Sequence, residues 1–179
     1  MQIRYKTDLT FEEYREQEGW KLARLDCCPF HPEDNCGISS HGTYMRKFPE
    51  PTLIARYYCS LERVSISLLP DFFASRLPGT LDEVEEAVNV AEDSSSLEEA
   101  AEFVRPDILY PYNLRWLLRR IRYVREALVI IAGLFPDLVY PDLKSFRKWL
   151  GCEKVLCALR EKAAAYLHSI PMIVGLIPP

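Results

Sequence analysis

Cysteine and histidine are concentrated in one short, turn-rich stretch, and this feature constrains the fold more than any other. Four of the six cysteines and two of the three histidines lie between residues 27 and 59. Cys28 and His31 have the spacing of a metal-binding knuckle, Cys36 follows in the same loop, and Cys59 closes an apolar stretch beyond it. Three thiolates and one imidazole suit a structural, tetrahedral zinc ion. The sequence therefore predicts zinc bound by Cys28, His31, Cys36 and Cys59.

Two alternatives stay open for this stretch. Cys27 or His41 can replace one of the four ligands, since both lie near them in the sequence. The loop can also hold no metal, with its cysteines buried as small apolar residues. Nothing indicates catalytic zinc, because the chain contains no HExxH motif.

Three short segments around the cysteines predict a small antiparallel sheet. They cover residues 41–48, 52–59 and 64–69 and are β-branched, aromatic or alternating in polarity. Three such strands cannot bury a core alone, so the sheet needs a metal or a helical neighbour. Zinc would supply that stability, because binding energy at such sites is folding energy. We assign residues 1–79 to this ribbon-like, metal-binding region.

The rest of the chain is predicted to be helical. Thr10, Thr80 and Ser96 are each followed three residues later by Glu, the pattern of a capping box. Apolar residues at helical spacing run from 111 to 135. The predicted helices cover residues 11–18, 81–92, 97–104, 111–135, 143–150 and 153–168. The fold class is α+β and mostly α, with a small N-terminal antiparallel β element followed by a helical region at 80–179.

Composition excludes several classes of protein. The net charge of −4 excludes a uniformly basic nucleic-acid binder but allows a local basic face. Only 7 glycines are present and neither GxGxxG nor GxxxxGK[ST] occurs, so no glycine-rich phosphate loop is expected. The longest apolar run, 127–135, is about half of what a membrane span needs. No secretion signal is recognisable, so we expect a cytoplasmic protein without membrane association.

A catalytic centre is not expected. His168 is predicted at the end of the last helix, where it interacts with the helix dipole rather than acting as a catalytic base. The apolar tail at 170–179 is predicted to lie extended over the core. Carboxylates after residue 105 are scattered along helical segments, without the strands that would bring them together on metal ions for phosphoryl transfer. An enzyme that uses the vicinal Cys27 and Cys28, or His41, is a third alternative without a recognisable base.

The long helix carries a concentration of arginines. The segment 105–125 holds six arginines and one acidic residue. Arg115, Arg119 and Arg122 stand at i, i+4 and i+7, and Trp116, Arg120 and Tyr123 flank them. Arginines interleaved with aromatic residues suit the phosphate backbone of double-stranded DNA. The alternative is that the arginines pair inside the fold with the segment 82–102, which holds nine acidic residues and no basic one.

Several motifs resemble the N-terminal region of bacterial insertion-sequence transposases. They are Cys28-Pro29-x-His31-Pro32, His41-Gly42-Thr43-Tyr44-x-Arg46, Arg56-Tyr57-Tyr58-Cys59, Ile66-Ser67-Leu68-Leu69-Pro70-Asp71-Phe72 and Asn113-Leu114-Arg115-Trp116-Leu117-Leu118-Arg119-Arg120. The resemblance covers about residues 26–125. It implies a zinc ribbon followed by a helix-turn-helix at about 82–135, in a short stand-alone form without a nuclease domain. It also implies a second helix at 97–104 and a recognition helix that begins near Pro111.

Two features differ from that pattern. Glu62 stands where a paired ribbon would place a further ligand, and the connection 105–110 is longer than the three or four residues usual in a DNA-binding turn. The expected function is a non-catalytic, accessory or regulatory DNA-binding protein related to transposase end-binding regions. The alternative is a helical module that binds another protein or a second copy of itself, with its arginines paired internally.

Overall fold

The computed structural model describes residues 1–33, 36–135 and 140–166. Its strands are β1 (Gln2–Tyr5), β2 (Ser39–Arg46), β3 (Thr52–Cys59) and β4 (Val64–Pro70). Its helices are α1 (Phe11–Glu16), α2 (Leu81–Asp93), α3 (Leu97–Val104), α4 (Tyr112–Ala132), α5 (Leu143–Leu150) and α6 (Val155–Lys162), with short 3-10 turns at Gly19–Lys21 and Ala164–Tyr166. Of the described residues, 44% are helical and 19% lie in strands, which confirms the predicted α+β, mostly helical class.

The sheet has four strands in the order β1-β4-β3-β2, one more than the sequence predicts. The strands β2, β3 and β4 form the expected antiparallel meander, whereas β1 pairs with β4 in parallel. The prediction of three strands was wrong because it missed β1, which is four residues long and buries only Ile3. A segment this short carries too little alternation to be recognised as a strand.

Both faces of the sheet are covered, because neighbouring residues of a strand point to opposite sides. Ala55 of β3 and Leu68 of β4 pack with the cysteine loop on one face. Ile54 and Leu69 pack with Phe73 on the other. Aromatic residues close that second face: the ring of Phe11 in α1 lies 5.6 Å from the ring of Phe73. The small sheet thus has the helical neighbour that its size requires.

The helices begin where the capping patterns predict. Thr10 and Thr80 form complete capping boxes with Glu13 and Glu83, and Ser96 accepts a hydrogen bond from the Glu99 backbone. The helices α2, α3 and α4 pack on one another in all three pairings, and α6 packs on α2 and α5. Their shared core consists of buried apolar residues, among them Leu81, Val84, Leu117, Val124, Leu128, Phe146 and Leu159.

Three helices are shorter than predicted. α1 ends at Glu16, two residues before the predicted end. α4 ends at Ala132, three residues before the predicted end, and α6 covers Val155–Lys162 where the sequence predicts 153–168. The α6 N-terminus is fixed by Glu85 of α2, whose carboxylate accepts hydrogen bonds from the Val155 and Leu156 backbones at 2.9 and 2.8 Å. A long-range contact of this kind leaves no local signal in the sequence. His168 and the tail at 170–179 lie outside the described residues.

Buried and half-buried arginines connect the sheet, the helices and the loop between them. Arg46 of β2 donates to three backbone carbonyls of the loop 74–79, and Arg120 of α4 donates to the Pro78 carbonyl of the same loop at 2.8 Å. Arg4 of β1 forms a second link, since it binds both carboxylate oxygens of Asp71 at 2.7 and 3.1 Å. These contacts hold the loop between β4 and α2 from both sides.

No helix in the described part of the chain combines the length and the apolarity needed to cross a lipid bilayer.

Candidate metal centre and basic helix face

The four predicted metal ligands converge in the structure. One ligand atom from each of Cys28, His31, Cys36 and Cys59 lies within 4.8 Å of the other three. The Nδ1 atom of His31 is 3.7 Å from the sulfurs of both Cys28 and Cys59. A tetrahedral ion with sulfur at about 2.3 Å and nitrogen at about 2.0–2.1 Å separates its ligands by roughly 3.5–3.8 Å. The prediction that these residues come together is confirmed, and the two distances from His31 to sulfur fit a tetrahedral ion.

Each ligand is held by the local backbone. Cys28 and His31 lie in one tight turn, closed by a hydrogen bond from the His31 backbone to the Cys28 carbonyl at 3.1 Å. Cys59 is the last residue of β3. The loop that carries Cys36 is fastened to this strand end, because the Ser60 hydroxyl donates to the Cys36 carbonyl at 2.7 Å. The fold therefore positions the ligands through strand pairing and turn geometry.

Four protein side chains surround the site, and of these the three cysteines are buried while His31 is partly exposed. Cys28 and Cys59 are fully buried and Cys36 is 2% exposed. Structural zinc sites have this character, whereas catalytic sites keep one position open to water or substrate. The group of metal-capable residues contains neither Cys27, which is exposed, nor His41, whose ring packs 5.4 Å from that of Tyr58. In the described chain, therefore, neither Cys27 nor His41 takes the place of one of the four candidate ligands.

The thiols of the site differ in acidity. Burial opposes ionisation of Cys28, but hydrogen bonds from the Phe30 backbone, His31 and Cys36 outweigh it and lower the pKa of Cys28 to about 7. Burial, followed by hydrogen bonds to the sulfurs of Cys28 and Cys59, raises the pKa of Cys36 to about 11. A cation would favour deprotonation of both thiols, because thiolate is the form that binds metal.

Glu62 occupies a supporting position that sequence reasoning missed. Its carboxylate lies 3.4 Å from Nε2 of His31, and its backbone N–H points to the Cys59 sulfur at 3.5 Å. A carboxylate beside Nε2 favours the tautomer that carries its proton there, which leaves the Nδ1 lone pair directed at the sulfurs. Glu62, which stands where a paired ribbon would have a further ligand, is thus placed to orient His31 without binding the metal itself.

The predicted DNA-contacting residues of α4 fall into two groups. Arg115, Arg119 and Arg122 are exposed. The guanidinium of Arg115 lies over the Tyr112 ring at 5.7 Å, and those of Arg119 and Arg122 lie over the Tyr123 ring at 5.7 and 4.9 Å. These rings support three cations along one side of the helix.

Arg120 and Trp116 belong to the second group and face inward. Arg120 is 2% exposed, and its guanidinium lies 3.3 Å from the centre of the Trp116 ring. Burial, with the charge of Arg105 as a smaller contribution, lowers the pKa of Arg120 to about 9, so that it stays charged at neutral pH. Arg120 has no surface to offer a phosphate, which corrects its assignment to the DNA-contacting set. Trp116 is half-buried beneath it.

The internal pairing considered for the arginines also differs from what is found. In the described part of the chain, neither Arg115 nor Arg119 has a carboxylate within ion-pair distance, and the partner of Arg122 is Glu126 of the same helix at 3.6 Å. Arg120 is internal, but it binds backbone carbonyls rather than acidic side chains. Comparison with known proteins adds no assignment: no family model, no curated protein and no solved structure matches this chain.

Proposed function

We propose that this protein is a non-catalytic, zinc-stabilised DNA-binding protein that contacts duplex DNA through the exposed side of α4. Arg115, Arg119 and Arg122 define this surface, which we call the arginine face. The observation that carries the proposal is that these side chains are exposed along one side of one helix, while no described carboxylate of another element neutralises them. Arg115 and Arg119 have no described ion-pair partner and can neutralise DNA phosphates, and Arg122 can do so by exchanging its exposed partner Glu126 for a phosphate.

The architecture supports this assignment. A helix-turn-helix protein presents one helix of a compact helical unit to DNA, and the other helices hold it in place. Here α2 and α3 pack on the inner side of α4 and leave the arginine face outward. The sequence resemblance to transposase end-binding regions predicts the same division, with α4 as the recognition helix. An accessory or regulatory protein of a mobile element is the role that this resemblance favours.

Zinc is the metal that best suits the four converging ligands. Thiolate-rich tetrahedral sites with imidazole favour zinc over the hard cations, which bind oxygen. Cys28, His31, Cys36 and Cys59 would hold the ion, and its role is to lock the cysteine loop onto the end of β3. The arginine face belongs to a separate part of the molecule. The zinc site therefore acts on stability and not on DNA contact.

Salt-dependent binding to random duplex tests the DNA proposal. Three phosphate contacts give a log-log slope of affinity against salt of about −2.7. Arg119→Ala removes one contact, so affinity for all duplexes should fall together and the slope should flatten by about 0.9. The melting temperature should hardly change, because Arg119 is exposed and unpaired among the described residues.

Lys148→Ala is the matched control for this experiment. Lys148 is an exposed base on α5, so its removal changes the net charge equally without touching the arginine face. We expect the affinity and salt slope of Lys148→Ala to equal those of the wild type. Absence of salt-sensitive binding in the wild-type protein, or equal losses in both variants, would contradict the proposal.

A protein-interaction role is the second candidate, and one observation favours it. Leu118 and Val129 lie on the outer side of α4 and are 42% and 56% exposed. Apolar side chains grouped on the outside of a helix mark a surface that binds another protein. The two roles use neighbouring sides of α4 and are compatible.

A further inference from the structure

The outer surface of α4 carries an apolar stripe beside the arginine face. Leu118, Ile121, Arg125 and Val129 follow the 3-4-4 spacing of a helix-packing seam. Leu118, Arg125 and Val129 are exposed, whereas Ile121 is only 6% exposed and forms the floor of the stripe between them. An open groove of about 550 Å³ lies along them, and every residue that lines it belongs to α4. No other element in the described ranges covers this groove. We call Leu118, Ile121, Arg125 and Val129 the outer stripe.

The charges beside the outer stripe are self-complementary. Arg122 and Glu126 form an ion pair one turn apart, with their side chains 63% and 55% exposed. Consider a two-fold axis that is perpendicular to α4 and lies level with residues 123 and 124. It places a second α4 antiparallel to the first, so that the ion pair of one copy lies beside the ion pair of the other. Arg122 of each copy then lies beside Glu126 of the other, and Leu118 of each lies against Val129 of the other. An interface between identical chains requires this self-complementarity.

Arg125 is the one charge within the outer stripe. Its side chain is exposed, so its guanidinium can extend into water beside the interface while its apolar stem packs against the stripe. We propose that the outer stripe is a homodimer interface in which two α4 helices pack antiparallel.

This arrangement has a consequence for the arginine face. A two-fold axis perpendicular to two antiparallel helices leaves the same flank of each helix on the same side of the pair. Arg115 and Arg119 lie on the flank that Arg122 and Glu126 share, so both arginine faces point in one direction. At 1.5 Å per residue the two Arg119 residues are about 14 Å apart along the helices, and the two Arg115 residues about 26 Å.

The dimer would therefore present one continuous basic surface with two-fold symmetry, which fits DNA with an inverted repeat. This last step rests on the proposed DNA-binding function, whereas the dimer itself does not. A single helix pair buries less area than a permanent interface, so the expected association is weak and depends on concentration.

A charge-mixing experiment on the full chain, without DNA, tests the dimer. Wild-type protein should sediment as a dimer in the upper part of a dilution series that reaches high micromolar concentrations. Arg122→Glu and Glu126→Arg should each weaken self-association at least about tenfold, because like charges then meet across the interface. A mixture of the two variants should restore the dimer as a heterodimer, because each variant then meets the opposite charge.

The mixture separates the interface from the ion pair within one helix. Mixing cannot repair Arg122 and Glu126 inside a single chain, so recovery of the dimer reports contact between chains. A wild-type protein that is monomeric throughout overturns the proposal, as does a mixture that stays monomeric.

Val129→Asp connects the dimer to DNA binding. It leaves all three arginines intact and should produce a monomer that binds duplex more weakly than the wild type, because two linked surfaces bind more tightly than one. Leu22→Asp, at an exposed apolar residue remote from α4 in the sequence, is the matched control and should change neither property. A wild-type dimer that fails to bind duplex would overturn the proposed function but not the dimer.

Discussion

The sheet and the helical region bury cores of different composition. On the cysteine side of the sheet, the cluster has eight buried residues, and three of them are the candidate ligands Cys28, Cys36 and Cys59. Among the described residues, the apolar cluster of the helices contains twenty buried side chains, and none of them is a cysteine. Apolar burial can stabilise the helices, whereas under the proposed function the cysteine side of the sheet would draw its stability from the metal. A short chain can thus combine two sources of stability in neighbouring regions.

The two regions are not independent, because charged side chains connect them. Asp71 at the end of the sheet binds Arg4 of β1, and Arg160 of α6 lies 3.4 Å from the same carboxylate. Arg46 and Arg120 hold the loop 74–79 from the sheet side and the helix side. We call these connecting side chains and the loop 74–79 the joint. Changes to the metal ligands, to the joint and to the helices affect different contacts, so we expect each to lower the stability of the protein by a different amount.

Metal removal should have the largest effect and should act on the sheet. Structural zinc contributes about 10–16 kcal/mol of apparent binding energy in small metal-dependent domains. We expect a strong chelator, or Cys59→Ser, to abolish the cooperative unfolding of the sheet region while most of the helical circular dichroism signal persists. Bound zinc measured on the purified protein should be one equivalent for the wild type and near zero for Cys59→Ser.

Cys27→Ser is the matched control for that experiment, because Cys27 neighbours the site in sequence but is exposed and outside the ligand group. It should retain one zinc ion and the wild-type melting curve. If the metal-free protein melted as the zinc-loaded protein does, the cysteines would be ordinary buried residues and the contrast between the two cores would disappear.

Arg120→Ala should have the next largest effect and should act on the joint. The change removes the guanidinium that donates to the Pro78 carbonyl and the cation that lies over the Trp116 ring. Together these losses should lower the free energy of unfolding by about 3 kcal/mol. Denaturant titration measures it, with Arg119→Ala as the exposed neighbour that should change stability by less than about 1 kcal/mol. Equal losses in the two variants would mean that Arg120 is not a structural residue.

Glu62→Ala should weaken metal binding without unfolding the protein. A carboxylate that orients a ligating histidine typically contributes 10- to 100-fold in metal affinity, which is about 1.4–2.8 kcal/mol. Competition with a chromophoric chelator measures this loss. Glu33→Ala removes an equal charge from an exposed position two residues after His31 and should leave the affinity unchanged. Equal affinities for wild type and Glu62→Ala would exclude the orienting role.

The sequence predicts what depends on local pattern. Capping residues located the starts of α2 and α3, because a cap and its partner lie within one turn. The four metal ligands were identified from their chemistry and spacing, and the structure brings them together. β1 was missed because its pairing with β4 spans more than sixty residues and has almost no local signal.

The inward orientation of Arg120 was missed for a related reason. Arg119 and Arg120 are adjacent and identical in type, and only the helix phase relative to α2 and the loop 74–79 separates them. The spacing of the apolar residues does indicate which side of α4 faces inward. Leu117, Ile121 and Val124 are buried, and Arg120 lies on their side of the helix. Charge alone assigned it to the surface. The orienting role of Glu62 depends on the folded loop and could not be read from spacing.

Loss of a helix cap should have the smallest effect and should be confined to the helical region. The Ser96 hydroxyl accepts the Glu99 backbone N–H at 3.1 Å and satisfies one unpaired donor at the start of α3. Ser96→Ala should cost about 1 kcal/mol, which in a chain of this size lowers the melting temperature by about 2–4 °C. Ser96→Asn keeps a capping oxygen and should melt close to the wild type. Metal affinity should be identical in all three proteins, because among the described residues α3 contributes none to the apolar cluster that holds the cysteines. A cap variant that also lost zinc affinity would show that the two cores unfold together, and that the joint, rather than the metal, governs the stability of the sheet.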